Sequence, residues 1–72
     1  MQRFGGKLRA LREQRGLSVR EFARTLGHSS HAYVSRIETG KKKPSLEFAM
    51  TVARIFDVSV DMLVNDELEL DE

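Results

Sequence analysis

The residues best suited to chemistry lie between His31 and Lys43. If Tyr33, Val34 and Ile37 face inward on a helix, four side chains face outward: His31, Ala32, Ser35 and Arg36. Three of these four can hydrogen-bond, and a guanidinium such as that of Arg36 pairs well with guanine. We therefore expect this face to contact base edges in the major groove of double-stranded DNA.

The loop after this helix is suited to a phosphate backbone. Gly40 precedes three successive cations, Lys41, Lys42 and Lys43, which we expect to bind phosphates. The alternative for the lysines is a solvated loop, and the alternative for Arg36 is a phosphate contact. Tyr33 is expected in the core with its hydroxyl at the edge, where it can also donate to a phosphate.

Other chemistries are poorly supported. His28 and His31 are three residues apart, but the chain has two histidines and no cysteine, so we predict no metal site and no cofactor. Protonation of His31 beside a phosphate is an alternative role. Ser35 lacks a base and an oxyanion site, so it is interpreted as a groove or phosphate contact. We predict that the protein is not an enzyme.

Charge divides the chain into two unlike parts. Residues 1–43 hold eleven of the twelve Lys and Arg and three acids, which gives +8, whereas residues 44–72 hold Arg54 against eight acids, which gives −7. This asymmetry favours an anionic partner for the first part, although charged helix faces that are merely solvated are the alternative.

Periodicity and capping residues predict an all-α, five-helix domain that positions these side chains. Ser18 and Glu21 form a Ser-x-x-Glu capping box, and Leu46, Ala49, Val52, Ala53 and Phe56 form one apolar stripe. The helices are expected at about 4–15, 19–26, 30–38, 46–56 and 60–64. Gly27 and a Ser cap (Ser29 or Ser30) make a short turn between the second and third helices, which predicts a helix-turn-helix.

The domain is expected to cover residues 1–65 and to be followed by an acidic tail, 66–72. The end of the chain carries more apolar side chains than one small core needs, and these predict a dimer interface: Val58, Val60, Met62, Val64, Leu68 and Leu70. Met62 is alternatively a core filler. The tail is either disordered or, through its two leucines, a short strand or a cover for a protein partner. No apolar run is long enough to span a membrane.

These features together resemble the Cro/phage-repressor-like (Xre-type) helix-turn-helix family. The resemblance covers about residues 4–64. The matching segments are Phe4-Gly5, Leu8-Arg9-Ala10-Leu11-Arg12-Glu13, Gly16-Leu17-Ser18, Glu21-Phe22-Ala23, Leu26-Gly27, Tyr33-Val34-Ser35-Arg36-Ile37-Glu38, Gly40, Pro44-Ser45-Leu46-Glu47 and Asp57-Val58-Ser59-Val60-Asp61-Met62-Leu63.

The resemblance implies a lambda-repressor-like DNA-binding fold and a sequence-specific transcriptional regulator that acts as a repressor. Such proteins usually bind a palindromic operator as dimers, with the third helix in the major groove. His31, Ala32 and Arg36 then match base-contacting positions, and Ser30 and Lys41–Lys43 match phosphate-contacting positions. Arg12 and Glu38 match an ion pair that links the first and third helices.

The chain departs from the family at two places. It has one residue more between Gly27 and Tyr33, which leaves the base-contacting position open among Ser30, His31 and Ala32. It also has Val19 where the family commonly has Gln, which leaves Ser18 or Arg20 as the phosphate contact. The alternative function is that of an antitoxin or restriction–modification controller, which also binds a protein through the C-terminal segment. A cytoplasmic location on a bacterial or phage nucleoid is expected.

Overall fold

Five helices make up the described part of the chain, residues 2–27 and 30–68 of a computed structural model. The helices are α1 (Phe4–Gln14), α2 (Val19–Thr25), α3 (His31–Glu38), α4 (Leu46–Phe56) and α5 (Val60–Val64). The expected all-α, five-helix fold is confirmed. None of the helices in these two ranges is long and apolar enough to cross a bilayer.

Serine side chains begin three of the helices. Ser18 accepts a hydrogen bond from the Glu21 N–H (3.1 Å), and its own N–H donates to the Glu21 carboxylate (2.8 Å), so the predicted capping box is present. Ser45 accepts from the Phe48 N–H (3.0 Å) and Ser59 from the Asp61 N–H (3.2 Å). Each serine satisfies a backbone donor that has no partner within its helix.

The core is built from side chains of all five helices, with α3 packed against α1 and α2, and α5 packed against α1 and α4. Its members are Phe4, Leu8, Leu11, Phe22, Ala23, Leu26, Val34, Ile37, Phe48, Ala49, Val52, Ala53, Phe56 and Leu63. The rings of Phe4 and Phe48 lie 6.3 Å apart between centroids, and those of Phe22 and Phe56 lie 5.1 Å apart. Burial of these side chains is the main source of stability, because it removes apolar surface from water.

Gly5 lets α1 approach the end of α3 very closely. A Cβ at this position would contact the carbonyl oxygen of Ile37 and lie 2.9 Å from that of Glu38. Those oxygens belong to backbone and cannot rotate away. A residue without a side chain is therefore required where the two helices meet.

Leu46 is a correction to the predicted apolar stripe. It was expected to face the core but is 59% exposed, and Met50, one turn further on, is 57% exposed. The buried side of α4 instead centres on Ala49, Val52 and Phe56. Leu46 is the first residue of the helix and lies to one side of that stripe, so its side chain extends beyond the core.

The two ends of the domain bind each other. The N–H groups of Gln2 and Arg3 each donate to the Asp66 carboxylate at 2.9 Å, and Arg3 Nη1 donates to the Asp66 carbonyl at 2.8 Å. At the other side of the contact, Lys7 is buried and its Nζ donates to the carbonyls of Met62 (2.6 Å) and Asn65 (2.7 Å). Asp66 thus caps the start of α1, and Lys7 caps the end of α5.

Candidate nucleic-acid interface

The outer face of α3 presents the side chains expected to contact bases. His31, Ala32 and Arg36 are exposed and Ser35 is half-buried, whereas Val34 and Ile37 on the opposite face are fully buried. Ser30 is the N-cap residue and is exposed, and its side chain makes no capping hydrogen bond to α3. The polar side chains of α3 therefore face outward from a short helix whose opposite face is packed in the apolar core.

Backbone hydrogen bonds fasten the lysine loop to α3. Gly40 has φ 79° and its N–H donates to the Ile37 carbonyl (3.2 Å). The N–H groups of Lys41 (2.8 Å) and Lys42 (3.2 Å) both donate to the Arg36 carbonyl. This is a Schellman-type helix end, which needs a left-handed residue at the glycine. The loop therefore keeps a fixed position relative to Arg36.

Tyr33 connects the loop to α4. Its ring packs edge-on against Phe48, with centroids 5.3 Å apart and planes at 83°. The ammonium group of Lys42 lies 5.8 Å from the centroid of the same ring, within range of a cation–π interaction. The Tyr33 side chain is half-buried, as expected for a residue at the edge of the core. It holds one of the three lysines beside α3.

The start of α2 adds exposed cations next to the capping box. Arg20 and Arg24 are both exposed and lie one helical turn apart. Arg24 was not among the predicted contact residues, although its spacing of four from Arg20 puts both on one face. Hydrogen bonds from the N–H and then the side chain of Ser18 lower the pKa of the Glu21 carboxyl. Glu21 is therefore an anion at the α2 N-terminus.

A buried ion pair supports the interface from behind. Arg12 Nε lies 2.8 Å from Glu38 Oε2, and Arg12 Nη2 donates to Glu38 Oε1 at 3.2 Å. Arg12 Nη1 also donates to the Leu17 carbonyl at 2.9 Å. The Arg12 and Glu38 side chains are only 14% and 5% exposed. The hydrogen bond with Glu38 raises the pKa of Arg12 above its usual value. The pair joins α1 to the end of α3 and to the segment before α2.

Several of the cations in residues 1–43 form contacts with other groups of the same domain. Arg15 Nη2 donates to the Phe56 carbonyl at 3.0 Å, and its guanidinium lies 5.4 Å from the centroid of that ring. Arg9 lies 3.4 Å from Glu13. With Arg3, Lys7 and Arg12 also bonded, the exposed cations that remain are on α2, α3 and the loop after it: Arg20, Arg24, Arg36, Lys41, Lys42 and Lys43. Six of the eleven cations of residues 1–43 therefore lie on α2, α3 and the loop after α3.

Two further predictions concern metals and self-association. Within residues 2–27 and 30–68, no three His, Cys, Asp or Glu residues are grouped as metal ligands; His28 and Ser29 lie outside the described residues. Of the expected dimer residues, Val58, Val60 and Val64 are half-buried and packed against the core. Met62 is half-buried, Leu68 is 40% exposed, and Leu70 lies outside the described residues.

This arrangement of a short turn between α2 and α3, an exposed polar face on α3 and cations around it defines a helix-turn-helix protein. The helix-turn-helix family matches residues 8–63 of the chain, which is well over half of its length. The chain belongs to that family, and the resemblance to Xre-type regulators is confirmed.

Two curated relatives are regulators of transcription. The chain is 34% identical over 70 residues to the cryptic phage CTXphi transcriptional repressor RstR of Vibrio cholerae, covering 96% of this chain and 62% of RstR. It is 36% identical over 70 residues to the HTH-type transcriptional regulator SinR of Bacillus licheniformis, covering 93% of this chain and 62% of that protein. The chain thus spans about three-fifths of the length of these relatives.

Solved structures of SinR are similar in fold. The N-terminal DNA-binding domain of SinR from Bacillus subtilis superposes with a TM-score of 0.82 at 30% identity, covering 96% of this chain and all of that one. SinR in complex with DNA gives 0.77 at 32% identity, covering 86% of this chain and 98% of that one. The SinR–SinI complex superposes with a TM-score of 0.80 at 31% identity, covering 89% of this chain and 62% of that one.

Proposed function

We propose that this chain is the DNA-binding part of a sequence-specific transcriptional regulator that acts as a repressor. The observation that carries the proposal is the coupling of α3 to the lysine loop. Because the N–H groups of Lys41 and Lys42 are bonded to the Arg36 carbonyl, a base-contacting face and a phosphate-contacting loop move as one body. The relatives named as repressor and regulator, and the SinR–DNA complex, support it.

In this proposal α3 lies in the major groove. His31, Ala32, Ser35 and Arg36 contact base edges, with Arg36 donating two hydrogen bonds to a guanine. Phosphates are bound by Ser18, Arg20, Ser30, Tyr33, Lys41, Lys42 and Lys43. We add Arg24 to this set, because it is exposed one helical turn from Arg20. Arg20 and Arg24 are better placed than Ser18, because the Ser18 N–H is already bonded to the ionised Glu21 carboxylate.

A homodimer completes the proposal. Two copies related by a twofold axis place their α3 helices about 34–36 Å apart, one turn of DNA, and so bind a palindromic operator. The expected site of action is the nucleoid in the cytoplasm of a bacterium or its phage. Since the relatives that match are named as regulators and not as enzymes, no reaction is assigned to the chain.

The test is selection from a pool of randomised duplexes, read by sequencing at two salt concentrations. Wild-type protein should enrich a palindrome with half-sites one turn apart. Arg36→Ala should lose about 1–3 kcal/mol of preference at one base pair of each half-site. Lys42→Ala should weaken binding to all sequences alike and lower the salt slope by about one. Arg9→Ala, which removes an exposed cation that pairs with Glu13 on α1, is the control and should change neither.

The outcomes separate the two candidate functions. Salt-sensitive binding with no enriched sequence would contradict base recognition by α3. No binding at either salt concentration would favour the alternative, an antitoxin or controller that binds a protein through the C-terminal segment. The SinR–SinI complex and the exposure of Leu68 beside acidic residues favour a protein partner.

A further inference from the structure

A groove of about 440 Å³ lies between the start of α1 and the loop that follows α3. Its polar side chains are those of Gln2, Lys42 and Lys43, all of which are exposed. None of the described residues that line it is acidic. The groove therefore combines a positive edge with an apolar floor, which suits an anionic segment that also carries apolar side chains. The floor consists of glycine backbone and apolar side chains, from Gly5, Ile37, Gly40 and Pro44.

The acidic end of the chain starts at the mouth of this groove. The Gln2 N–H donates to the Asp66 carboxylate at 2.9 Å, and Gln2 itself lines the groove. The Leu68 N–H donates to the Asn65 carbonyl at 3.1 Å, so the chain turns directly after Asp66. Residues 69–72, which follow with the sequence Glu-Leu-Asp-Glu, lie outside the described residues. Three acids and one leucine thus follow a point that is fastened beside the groove.

We propose that residues 69–72 dock in this groove and pair with Lys42 and Lys43. In an extended segment, neighbouring side chains point to opposite sides. Leu70 then contacts the apolar floor, while its two acidic neighbours turn toward the edge that carries the lysines. Long lysine stems can lie along apolar surface and keep their ammonium groups at the edge, within reach of the carboxylates. Charge and apolar character are both complementary in this arrangement.

The length of the segment and its attachment decide how strongly it docks. Four extended residues span about 13–14 Å, which is sufficient to follow a groove of this volume. A short tether gives an effective concentration of about millimolar, whereas exposed ion pairs are individually weak and are screened by salt. We therefore expect a contact that forms at moderate ionic strength and opens as the salt concentration rises.

The acidic segment of the chain fits the groove better than other occupants do. A basic protein segment is repelled by the two lysines at the edge. A free organic anion of the same charge lacks the attachment through Asp66, so it does not share the high effective concentration of a tethered segment.

Docking places residues 69–72 in competition with DNA. This step rests on the proposed function, in which Lys42 and Lys43 bind phosphates. At each of these lysines a phosphate must displace a carboxylate in place of a counterion, so fewer counterions are released on binding. The docked segment should therefore lower the affinity for DNA of any sequence and make that affinity less sensitive to salt.

Three variants test the proposal, and circular dichroism confirms that each is folded. Leu70→Ser removes the apolar contact and keeps all charges. The two triple variants each raise the net charge by the same amount, so they differ in where the acids are removed. The neutral-tail variant removes those of residues 69–72: Glu69→Gln/Asp71→Asn/Glu72→Gln. The matched control removes three exposed acids of α4, its C-cap and α5: Glu47→Gln/Asp57→Asn/Asp61→Asn.

Amide NMR spectra recorded without DNA test the docking. At about 0.1 M salt, where the Debye length is about 10 Å, the neutral-tail variant should move the Gly5 and Gly40 signals at least about twofold further than the matched control does. Leu70→Ser should move the same signals, although its charges are unchanged. Equal movements in the neutral-tail variant and the control, or unmoved signals in Leu70→Ser, would overturn the proposal.

Citrate is the probe for a free anion in the groove. It should move the Gly5 and Gly40 signals further in the neutral-tail variant than in the wild type, because docked residues exclude it from the wild-type groove. Equal movement in both would show that residues 69–72 do not occupy the groove and would overturn the docking.

DNA binding tests the competition separately. On a duplex of unrelated sequence the neutral-tail variant should bind at least about tenfold more tightly than the wild type, and its dependence of log affinity on log salt should be steeper by about one to two, one for each lysine released. The matched control should keep the wild-type slope. An unchanged slope in the neutral-tail variant would overturn the competition with phosphates.

The two measurements also separate this inference from the proposed function. The NMR spectra contain no DNA, so the docking passes or fails even if the chain binds no duplex. A randomised pool that yields no enriched sequence contradicts base recognition by α3 and leaves the NMR result unchanged.

Discussion

At the scale of single residues, the largest energetic effects are expected behind the α3 face. Arg12 and Glu38 are polar residues in a nearly dry setting, where each neutralises the other and Arg12 also bonds to the Leu17 carbonyl. A buried ion pair adds little stability over an apolar pair of the same shape, but removal of one member leaves a buried charge uncompensated. The pair therefore matters more for the geometry of α1 and α3 than for net stability.

We predict that Arg12→Ala destabilises the domain by about 3–5 kcal/mol, because Glu38 is left buried without its partner. Urea denaturation followed by circular dichroism measures the change. The double variant Arg12→Met/Glu38→Leu should be clearly more stable than Arg12→Ala, since it removes both charges. A double variant no more stable than Arg12→Ala would show that packing of the Arg12 stem, and not the orphaned charge, dominates.

Gly5 allows a second prediction at this scale. Gly5→Ala should destabilise the domain by about 1–3 kcal/mol or more, because the new methyl group meets the Ile37 and Glu38 carbonyls at the end of α3. Gly6→Ala is the matched control: a Cβ there meets no atom within 4 Å, so the higher helix propensity of Ala should stabilise α1 by up to about 1 kcal/mol. Thermal denaturation of both variants compares them. The same sign for both changes would contradict the close approach of α1 to α3.

At the scale of secondary-structure elements, the ends of the helices decide what α2 and α3 can bind. The capping box at the N-terminus of α2 places a carboxylate there and bonds the N–H groups of Ser18 and Glu21. The end of α3 is closed by Gly40 and the N–H groups of Lys41 and Lys42. The N-terminus of α2 is thus stabilised by its own side chains, and the end of α3 is joined to the loop that we propose contacts phosphates.

Ser18→Ala should cost about 0.5–2 kcal/mol of stability, the usual effect of losing an N-cap residue. Ser18→Asp keeps an acceptor for the Glu21 N–H and should lose much less. Denaturation midpoints for the two variants, measured under the same conditions, test this. If both variants lose the same amount, the Ser18 hydroxyl has a role other than capping α2.

The elements show why sequence was informative for the fold. Helix starts depend on residues three or four positions apart, so Ser18 and Glu21 were sufficient to predict a capping box. Periodicity and capping residues led to the expected five-helix fold, which is confirmed. Leu46 was placed wrongly because its spacing of three from Ala49 fits an apolar stripe, yet burial depends on which side of α4 the rest of the domain covers. This information comes from the tertiary structure and is not contained in a local sequence pattern.

The candidate site was less predictable than the fold. A count of eleven cations in residues 1–43 does not show which are bonded within the domain. Lys7 bonds to carbonyls 55 and 58 positions away, and Arg15 to one 41 positions away, so these assignments needed the folded chain. The position of Arg24 on the same face of α2 as Arg20 follows from their spacing of four residues, which is visible in the sequence. The DNA contacts themselves stay predictions.

At the scale of the whole molecule, the contact between the two ends of the domain links acid conditions to stability. Hydrogen bonds from the N–H groups of Arg3 and then Gln2 lower the pKa of Asp66 below its ordinary value of 3.8. A carboxyl group whose pKa is lower in the folded state stabilises the fold above its unfolded pKa and loses that contribution as pH falls through the folded pKa. The contact should therefore be intact at neutral pH and lost in strong acid.

We predict that Asp66→Asn lowers the melting temperature at pH 7. Its effect should shrink as pH falls below the ordinary pKa of Asp66, about 4, and should vanish below the lowered folded-state pKa, where the wild type is itself protonated. Melting curves over this range measure it. Glu67→Gln is the control, because Glu67 is exposed and follows Asp66 directly. An equal effect of Asp66→Asn at all pH values would exclude the charge of Asp66 as the cause.

The burial of Lys7 gives the chain an internal reporter of its own unfolding. Lys7 as a residue is 4% exposed and its ammonium group is bonded at the end of α5, whereas Lys41, Lys42 and Lys43 are exposed. Reductive methylation reacts with amines that reagent can reach, so the three loop lysines should be labelled within the native state. Lys7 should be labelled at the rate at which the contact between α1 and α5 opens. Mass spectrometry of one reaction then yields both an opening rate and, when a duplex is added, a protection map of the lysine loop.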